Sequence, residues 1–238
     1  MGKLDDRNVV VIGGTSGIGL ATAALAAREG ANVWAASRTK EKVEAATKEA
    51  PEVSFRQIDT HDLNALEGLF QEAGRVDHIV AAATGAERTM APFLEQTDAQ
   101  FREAFNKFWG YNNVIRTGVP FLTETGSITL VSGIPARKAN PGMSSISCVG
   151  CAVEGLTRAL ALEIAPQRVN VVAPGIIDTG MFDRFGDNKA AALEQMGKSI
   201  PLNRVGQSHE VAEAILLTMI NEYMTGATID VDGGALLP

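Results

Sequence analysis

The stretch that most constrains this chain is residues 9–20, Val-Val-Val-Ile-Gly-Gly-Thr-Ser-Gly-Ile-Gly-Leu. A β-branched apolar run stops at Gly13, a small polar loop follows, and an Ala-rich segment begins at Ile18. Strand, glycine turn and helix in that order aim backbone N–H groups and the positive end of a helix at an anion, phosphate above all. Gly13 permits the tight turn, Gly17 lets backbone approach a ligand, and Gly19 lets the helix pack closely on the strand. The spacing is Gly-x-x-x-Gly-x-Gly, and no Lys follows the turn, which disfavours a nucleotide triphosphatase loop. The expected phosphate contacts are Gly13, Thr15, Ser16, Gly17, Ile18 and Gly19.

The rest of the chain alternates in the same way. Helix is expected at 18–29, closed by Gly30, then strand at 32–36, then helix from a Thr39 cap to Pro51. Strand 53–58, helix 62–73 and an apolar strand 78–83 follow. Beyond a loop at 84–96, Thr97 or Asp98 caps a long helix to about residue 117. Strand 127–131, a Gly/Pro-bearing loop at 132–143, a long helix at 145–165 and strand 168–172 come next. A loop and helix at 181–198 would lie over the strand ends, Ser208 would cap helix 210–220, and 228–231 is a last strand. This order predicts an α/β fold: a Rossmann-like, doubly wound parallel sheet of about seven strands in a single domain, residues 1–238.

Composition excludes several functions. A formal charge of −7 leaves no broad basic surface for nucleic acid. No apolar run is expected to reach the length of a membrane span and no charged-then-apolar signal opens the chain, so the default location is the cytoplasm. Cys148 and Cys151, three apart in a helical segment, read as small buried helix residues. With His61, His78 and His209 scattered, no metal site is expected.

At this level the chain resembles the short-chain dehydrogenase/reductase family. The resemblance rests on the Gly13-x-x-x-Gly17-Ile18-Gly19 turn, Asp59 after the third strand, and Arg168-Val169-Asn170 leading to Pro174-Gly175. Tyr223-Met224-Thr225-Gly226 and Val231-Asp232-Gly233-Gly234 complete it. It implies a nicotinamide dinucleotide bound across the strand ends. Asp59 and Thr60 would meet the adenine, Ala81, Ala82 and Ala83 would line the ribose side, and Pro174, Gly175, Ile177 and Thr179 would flank the nicotinamide. An acidic residue ending the second strand would repel a 2′-phosphate. Here that place holds Ser37 followed by Arg38, a planar cation suited to phosphate, so the expected cofactor is NADP(H).

The family's proton-transfer groups do not follow. Aligning residues 153–156 puts Ile146 where the family has Tyr and Gly150 where it has Lys; a one-residue shift gives Ser145 and Val149. The Ser position falls on Gly133 or Ser132, and the Asn position on Lys107 or its neighbour Asn106. One residue turns about 100° around a helix, so only one of that last pair can face the cleft. Three readings remain open. In the first, the chain is an NADP(H)-dependent oxidoreductase with a non-standard active site, acting on a small carbonyl, imine or enone. Lys107 is then the leading proton donor, Tyr111 the weaker candidate four residues on, and Ser132 a group to orient the substrate oxygen. Arg137 and Lys138 could hold an anionic substrate, whereas Phe182, Phe185, Leu193 and Met196 suggest an apolar one. In the second reading the protein is an NADP(H)-binding sensor or regulatory protein; in the third it is a non-redox enzyme on the same scaffold. The family also implies a homotetramer or dimer formed through the two long helices.

Overall fold

The computed structural model describes residues 2–84 and 89–238, so expectations for residues 85–88 lie outside the described part. In chain order the elements are β1 (Asn8–Ile12), α1 (Gly17–Arg28), β2 (Asn32–Ser37), α2 (Lys40–Glu49), β3 (Ser54–Gln57), α3 (Leu63–Ala73) and β4 (Val76–Ala81). There follow α4 (Asp98–Ala104), α5 (Asn106–Gly118), β5 (Leu122–Val131), α6 (Ser144–Glu163), β6 (Arg168–Pro174), β7 (Ile177–Asp178), α7 (Lys189–Gly197), β8 (Gly206–Gln207), α8 (Ser208–Ile220) and β9 (Thr228–Val231). Seven strands form one parallel sheet in the order β3-β2-β1-β4-β5-β6-β9. The Rossmann-like, single-domain expectation holds.

The sheet is a septum between two apolar layers, and strand alternation builds both. Val10, Ile12, Ile79, Ile128 and Val171 face α3, α5 and α6, where Leu66, Phe70, Tyr111 and Val153 are buried. Val9, Val11, Val80, Val131 and Val172 face α1 and α8. Covering both faces explains why the central strands read as continuous Val/Ile runs rather than as alternating ones. The chain winds outward from β1 to β3, then returns to place β4 on β1's other side. A cleft opens at such a reversal, outside the carboxyl ends of the strands.

Several local expectations change. The helix expected at 98–117 is divided at Phe105, whose N–H bonds three residues back to Arg102, a tightened turn between α4 and α5. Gln207, not Ser208, caps α8: its N–H donates to Glu210 in a reciprocal capping box. Cys148 and Cys151 are exposed rather than buried, on the outer face of α6. That helix is long and apolar enough to span a membrane, with a mean hydropathy of 1.3 over its best window. Its Val149, Val153 and Thr157 are buried on the side that packs on the sheet, while Leu162 is 84% exposed.

The amino ends of the strands close on themselves. Asp77 accepts from the Asn8 N–H at 2.9 Å and pairs with Arg7 at 3.0 Å. His78 and Ser127 share a 2.9 Å hydrogen bond between Nδ1 and Oγ. Arg168 donates to the carbonyls of Thr218, Met219 and Met224, at the end of α8 and just beyond it. Asn170 donates to Met224 O and accepts from the Ala227 N–H. The Arg168-Val169-Asn170 and Tyr223-to-Gly226 motifs therefore meet as a structural clasp. Burial lowers the His78 pKa to about 4; Arg168 and Arg7 push the same way and Asp77 opposes them.

Candidate functional site

At the carboxyl ends the phosphate turn takes the shape its glycines predict, with a finer division of labour. The Gly13 and Gly14 N–H groups both bond to Ala36 O, at 2.8 and 3.2 Å, and so fasten the turn to β2. Ser16 stands extended as the N-cap of α1 and its side chain makes no capping bond. The N–H groups of Gly17, Ile18 and Gly19 in the first turn therefore lack helical acceptors and remain for an anion. Gly13 has φ +83°, and a Cβ there would lie 2.4 Å from Ala83 N. A Cβ on Gly17, at φ +52°, would lie 3.1 Å from Thr179 Cγ2. The turn, the end of β4 and the segment after β6 thus converge on one cradle that side chains at these glycines would fill.

The ends of β2 and β3 make its next wall. An open groove there is lined by Arg38, Thr39, Lys40, Glu41, Gln57 and Asp59. Gln57 Nε2 holds Arg38 O at 3.1 Å, and the Arg38 side chain is exposed. Among the described residues, the ion-pair partner of Lys40, in the first turn of α2, is exposed Glu44 at 3.8 Å. The sequence reading overlooked Lys40, although a second cation two residues after Arg38 was its signal. Glu41 and Asp59 add negative charge to the same groove, and Asp59 accepts the His61 N–H at 2.9 Å. Ser37 is half-buried, with its carbonyl accepting from Ile58 N–H. Thr60 turns toward α5, with its carbonyl accepting from Asn113 Nδ2 and its side chain over Gly110. Ala82 and Ala83 border the cleft half-buried, whereas Ala81 is fully buried inside β4. Gly175 and Thr179 are partly exposed; Pro174 and Ile177 lie buried beneath them, Ile177 paired with Gly206 between β7 and β8.

For the proton-transfer groups, the helix register settles one ambiguity. Lys107 points inward, 9% exposed, with its Nζ 5.4 Å from the Tyr111 ring centroid. Asn106 turns outward and donates to Glu103 at 2.6 Å. Both helices α5 and α6 run against the strands, so Lys107 sits in the first turn of α5 at the cleft end. Tyr111, one turn deeper, is 1% exposed and donates its hydroxyl to Val131 O at 3.1 Å. That bond and its burial make it a packing residue between α5 and β5, against the proton-donor expectation.

Ser132 also departs from expectation. Its hydroxyl faces α6, 3.4 Å from both Gly150 O and Glu154 Oε1, and the residue is 5% exposed. Glu154, a buried carboxylate the sequence reading passed over, also receives Arg137 at 3.4 Å. Arg137 pairs in addition with Asp230 of β9, and Lys138 Nζ donates to Ala235 O at 2.6 Å. Both cations are thus engaged by protein groups. A Cβ on Gly150 would lie 2.9 Å from Ala136 Cβ, so the short 3-10 turn Ile134–Ala136 packs where a side chain at 150 would begin. Among the described residues no His, Cys, Asp and Glu group could hold a metal ion.

A doubly wound sheet with a glycine cradle at its reversal defines a dinucleotide-binding class of fold. Comparison with known proteins is more specific. Residues 13–235 match the family described as Enoyl-(Acyl carrier protein) reductase. A short-chain dehydrogenase/reductase, ATR9 of Stachybotrys chlorohalonatus, is 34% identical, with both chains covered in full. The 3-oxoacyl-[acyl-carrier-protein] reductase FabG of Thermotoga maritima is 32% identical over 99% of this chain and 100% of its own. Among solved structures, the MalC Reductase/Diels-Alderase of Malbranchea aurantiaca superposes with a TM-score of 0.91 at 31% identity, covering 99% of this chain and 98% of that one. An NADPH-bound short chain oxidoreductase of Pseudomonas aeruginosa, described as containing an atypical catalytic center, gives 0.90 at 30%, covering 98% and 99%. The chain belongs to the short-chain dehydrogenase/reductase family of oxidoreductases.

Proposed function

We propose that this protein is an NADP(H)-dependent reductase of a small carbonyl compound in which Lys107 replaces the family's proton donor. The observation that carries the cofactor choice is the groove bearing Arg38, Thr39 and Lys40 at the end of β2, where no ion pair engages Arg38 among the described residues. A 2′-phosphate placed there would gain two cations and the N-terminal end of α2, whose Thr39 cap makes no side-chain bond. The NADPH-bound Pseudomonas structure, of similar fold, supports the same reading. Gly17, Ile18 and Gly19 would hold the pyrophosphate, and Thr179 and Gly175 would border the nicotinamide.

Held by these residues, a reduced nicotinamide would supply hydride for the reduction of a carbonyl to an alcohol, and the Lys107 ammonium, reprotonated from water, would supply the proton to the carbonyl oxygen. Buried against the Tyr111 ring, the ammonium is held at the cleft by a cation–π contact and does not need the Tyr–Lys pair that Ile146 and Gly150 replace. The exposed outer faces of α5 and α6, with Trp109 and Leu162, fit assembly into a dimer or tetramer. Initial rates with NADPH on a panel of ketones, imines and enones test the assignment. Lys107→Met should lower turnover by about 100-fold or more while leaving NADPH affinity within about twofold. Full turnover in that variant would remove Lys107 from the chemistry.

A further inference from the structure

The Val231-Asp232-Gly233-Gly234 motif leaves β9 at the carboxyl end of the sheet and turns the chain back on the neighbouring segments. The Asp232 carboxylate closes that turn, accepting the Gly234 and Leu236 N–H groups at 2.8 and 2.9 Å. Gly233, at φ +66°, and Gly234, at φ +89°, both lie in the left-handed region, which a side chain would strain. Both are also pressed against the segment that follows α7. A Cβ on Gly233 would lie 2.8 Å from Ile200 Cγ2, and one on Gly234 3.0 Å from Pro201 Cγ. The Leu202 N–H donates to Gly233 O at 3.2 Å. Ile200 in turn belongs to a small apolar cluster with Leu193 and Val205, on which Phe182 and Met196 pack, separate from the two layers of the sheet.

The same segment holds two further loops. The Gly175 N–H, first after β6, donates to Val231 O at 2.9 Å, and a Cβ on Gly175 would lie 2.8 Å from Asp232 Cα. From the loop after β5, Lys138 Nζ donates to Ala235 O at 2.6 Å and reaches Leu237 O at 3.4 Å. Its neighbour Arg137 pairs with Asp230 in β9, just before the turn. Residues 232–237 therefore tie together the segments that leave β5, β6 and α7. Lys138 is exposed, and a charge at an exposed site contributes little to global stability. What its bond can fix is position. Gly175 is the residue that would border the nicotinamide, and a displacement of about 1 Å is enough to misplace a reacting group. The groove for the adenosine half lies at the ends of β2 and β3, on the opposite side of the strand order from β6 and β9.

Resting on the cofactor reading above, we infer that residues 232–237 are a strap that sets the nicotinamide wall of the cleft, with Lys138 as the positioning residue that fastens it. The strap should then act on one half of the cofactor only. Titrations of NADPH and of adenosine 2′,5′-bisphosphate, which carries the adenosine and the 2′-phosphate without a nicotinamide, separate the two halves on the full chain. Lys138→Met should weaken NADPH by about fivefold or more while leaving the bisphosphate within about twofold. The same variant should diminish the blue shift of the bound nicotinamide's fluorescence, and Lys138→Arg, which keeps a cationic donor, should retain both affinity and shift. Gly234→Ala serves as a second variant that leaves the charge in place: its methyl group would press on Pro201 and should weaken NADPH in the same selective way. Equal weakening of both ligands would make the segment a general structural element and overturn the inference. NADPH affinity and fluorescence unchanged in both variants would overturn it as well, with the cofactor reading intact. Failure of the unmodified chain to bind either ligand would instead refute the cofactor reading, and this inference with it.

Discussion

The two ends of the central sheet place polar residues under opposite conditions. At the amino end, His78, Ser127, Arg168 and Asn170 are buried and each is bonded to a protein group. At the carboxyl end, the first N–H groups of α1 lack helical acceptors, Arg38 has no ion-pair partner among the described residues, and glycine stands where a side chain would block the cradle. The same strands supply both ends, so the difference is one of direction. Buried polar groups that face a neighbouring element must be bonded within the protein, whereas those that face the cleft can await a ligand. One end is bonded within the protein and the other is left open.

The contrast predicts that substitutions at the two ends are separable, with the largest effects at the amino end. Arg168→Met leaves the Thr218, Met219 and Met224 carbonyls without their cationic donor. It should destabilise the protein by about 3–5 kcal/mol in urea unfolding, with little change in NADPH affinity where the variant remains folded. A comparable loss of NADPH affinity at full stability would break the division.

Acid should act on the same end. Unfolded His78 titrates near 6.5 and the folded residue near 4, so between these values the unfolded chain binds the extra proton. Its contribution is fully present above pH 6.5 and is lost as pH falls toward 4, by roughly 3 kcal/mol at most. Unfolding curves at pH 7 and pH 5 should show this slope, and His78→Gln should flatten it. An unchanged slope in that variant would assign the acid sensitivity elsewhere.

Smallest of all should be the gain from rebuilding the family's proton-transfer groups. Gly133→Ser/Ile146→Tyr/Gly150→Lys should raise turnover by no more than about twofold, since a side chain at 150 meets Ala136 of the turn after β5. A gain of ten-fold or more would mean that this turn yields.

Much of this was legible in the sequence, and the misses share a cause. The glycine spacing and strand–helix alternation specify the cradle and the sheet because backbone geometry admits few alternatives. The Ser37-Arg38 step leads to the groove at the end of β2, and the place of Lys40 in its lining emerged only once α2 was placed. Side-chain direction was not legible. Asn106 and Lys107 differ by 100° on one helix, and only packing shows that Lys107 faces inward. Ser132 is one of the two expected positions, but its hydroxyl turns to Glu154 on α6. The exposure of Cys148 and Cys151 depends likewise on which face of α6 meets the sheet.

The most direct test is a pair of calorimetric titrations, NADPH and NADH, on the unmodified chain and on Arg38→Ala. NADPH should bind the unmodified chain at least about tenfold tighter than NADH, and Arg38→Ala should remove most of that difference by weakening NADPH alone. Lys40→Ala should narrow it by a few-fold. Equal affinity for the two cofactors, or an Arg38→Ala variant that keeps the full preference, would contradict the assignment of the carboxyl end as an NADP(H) cleft.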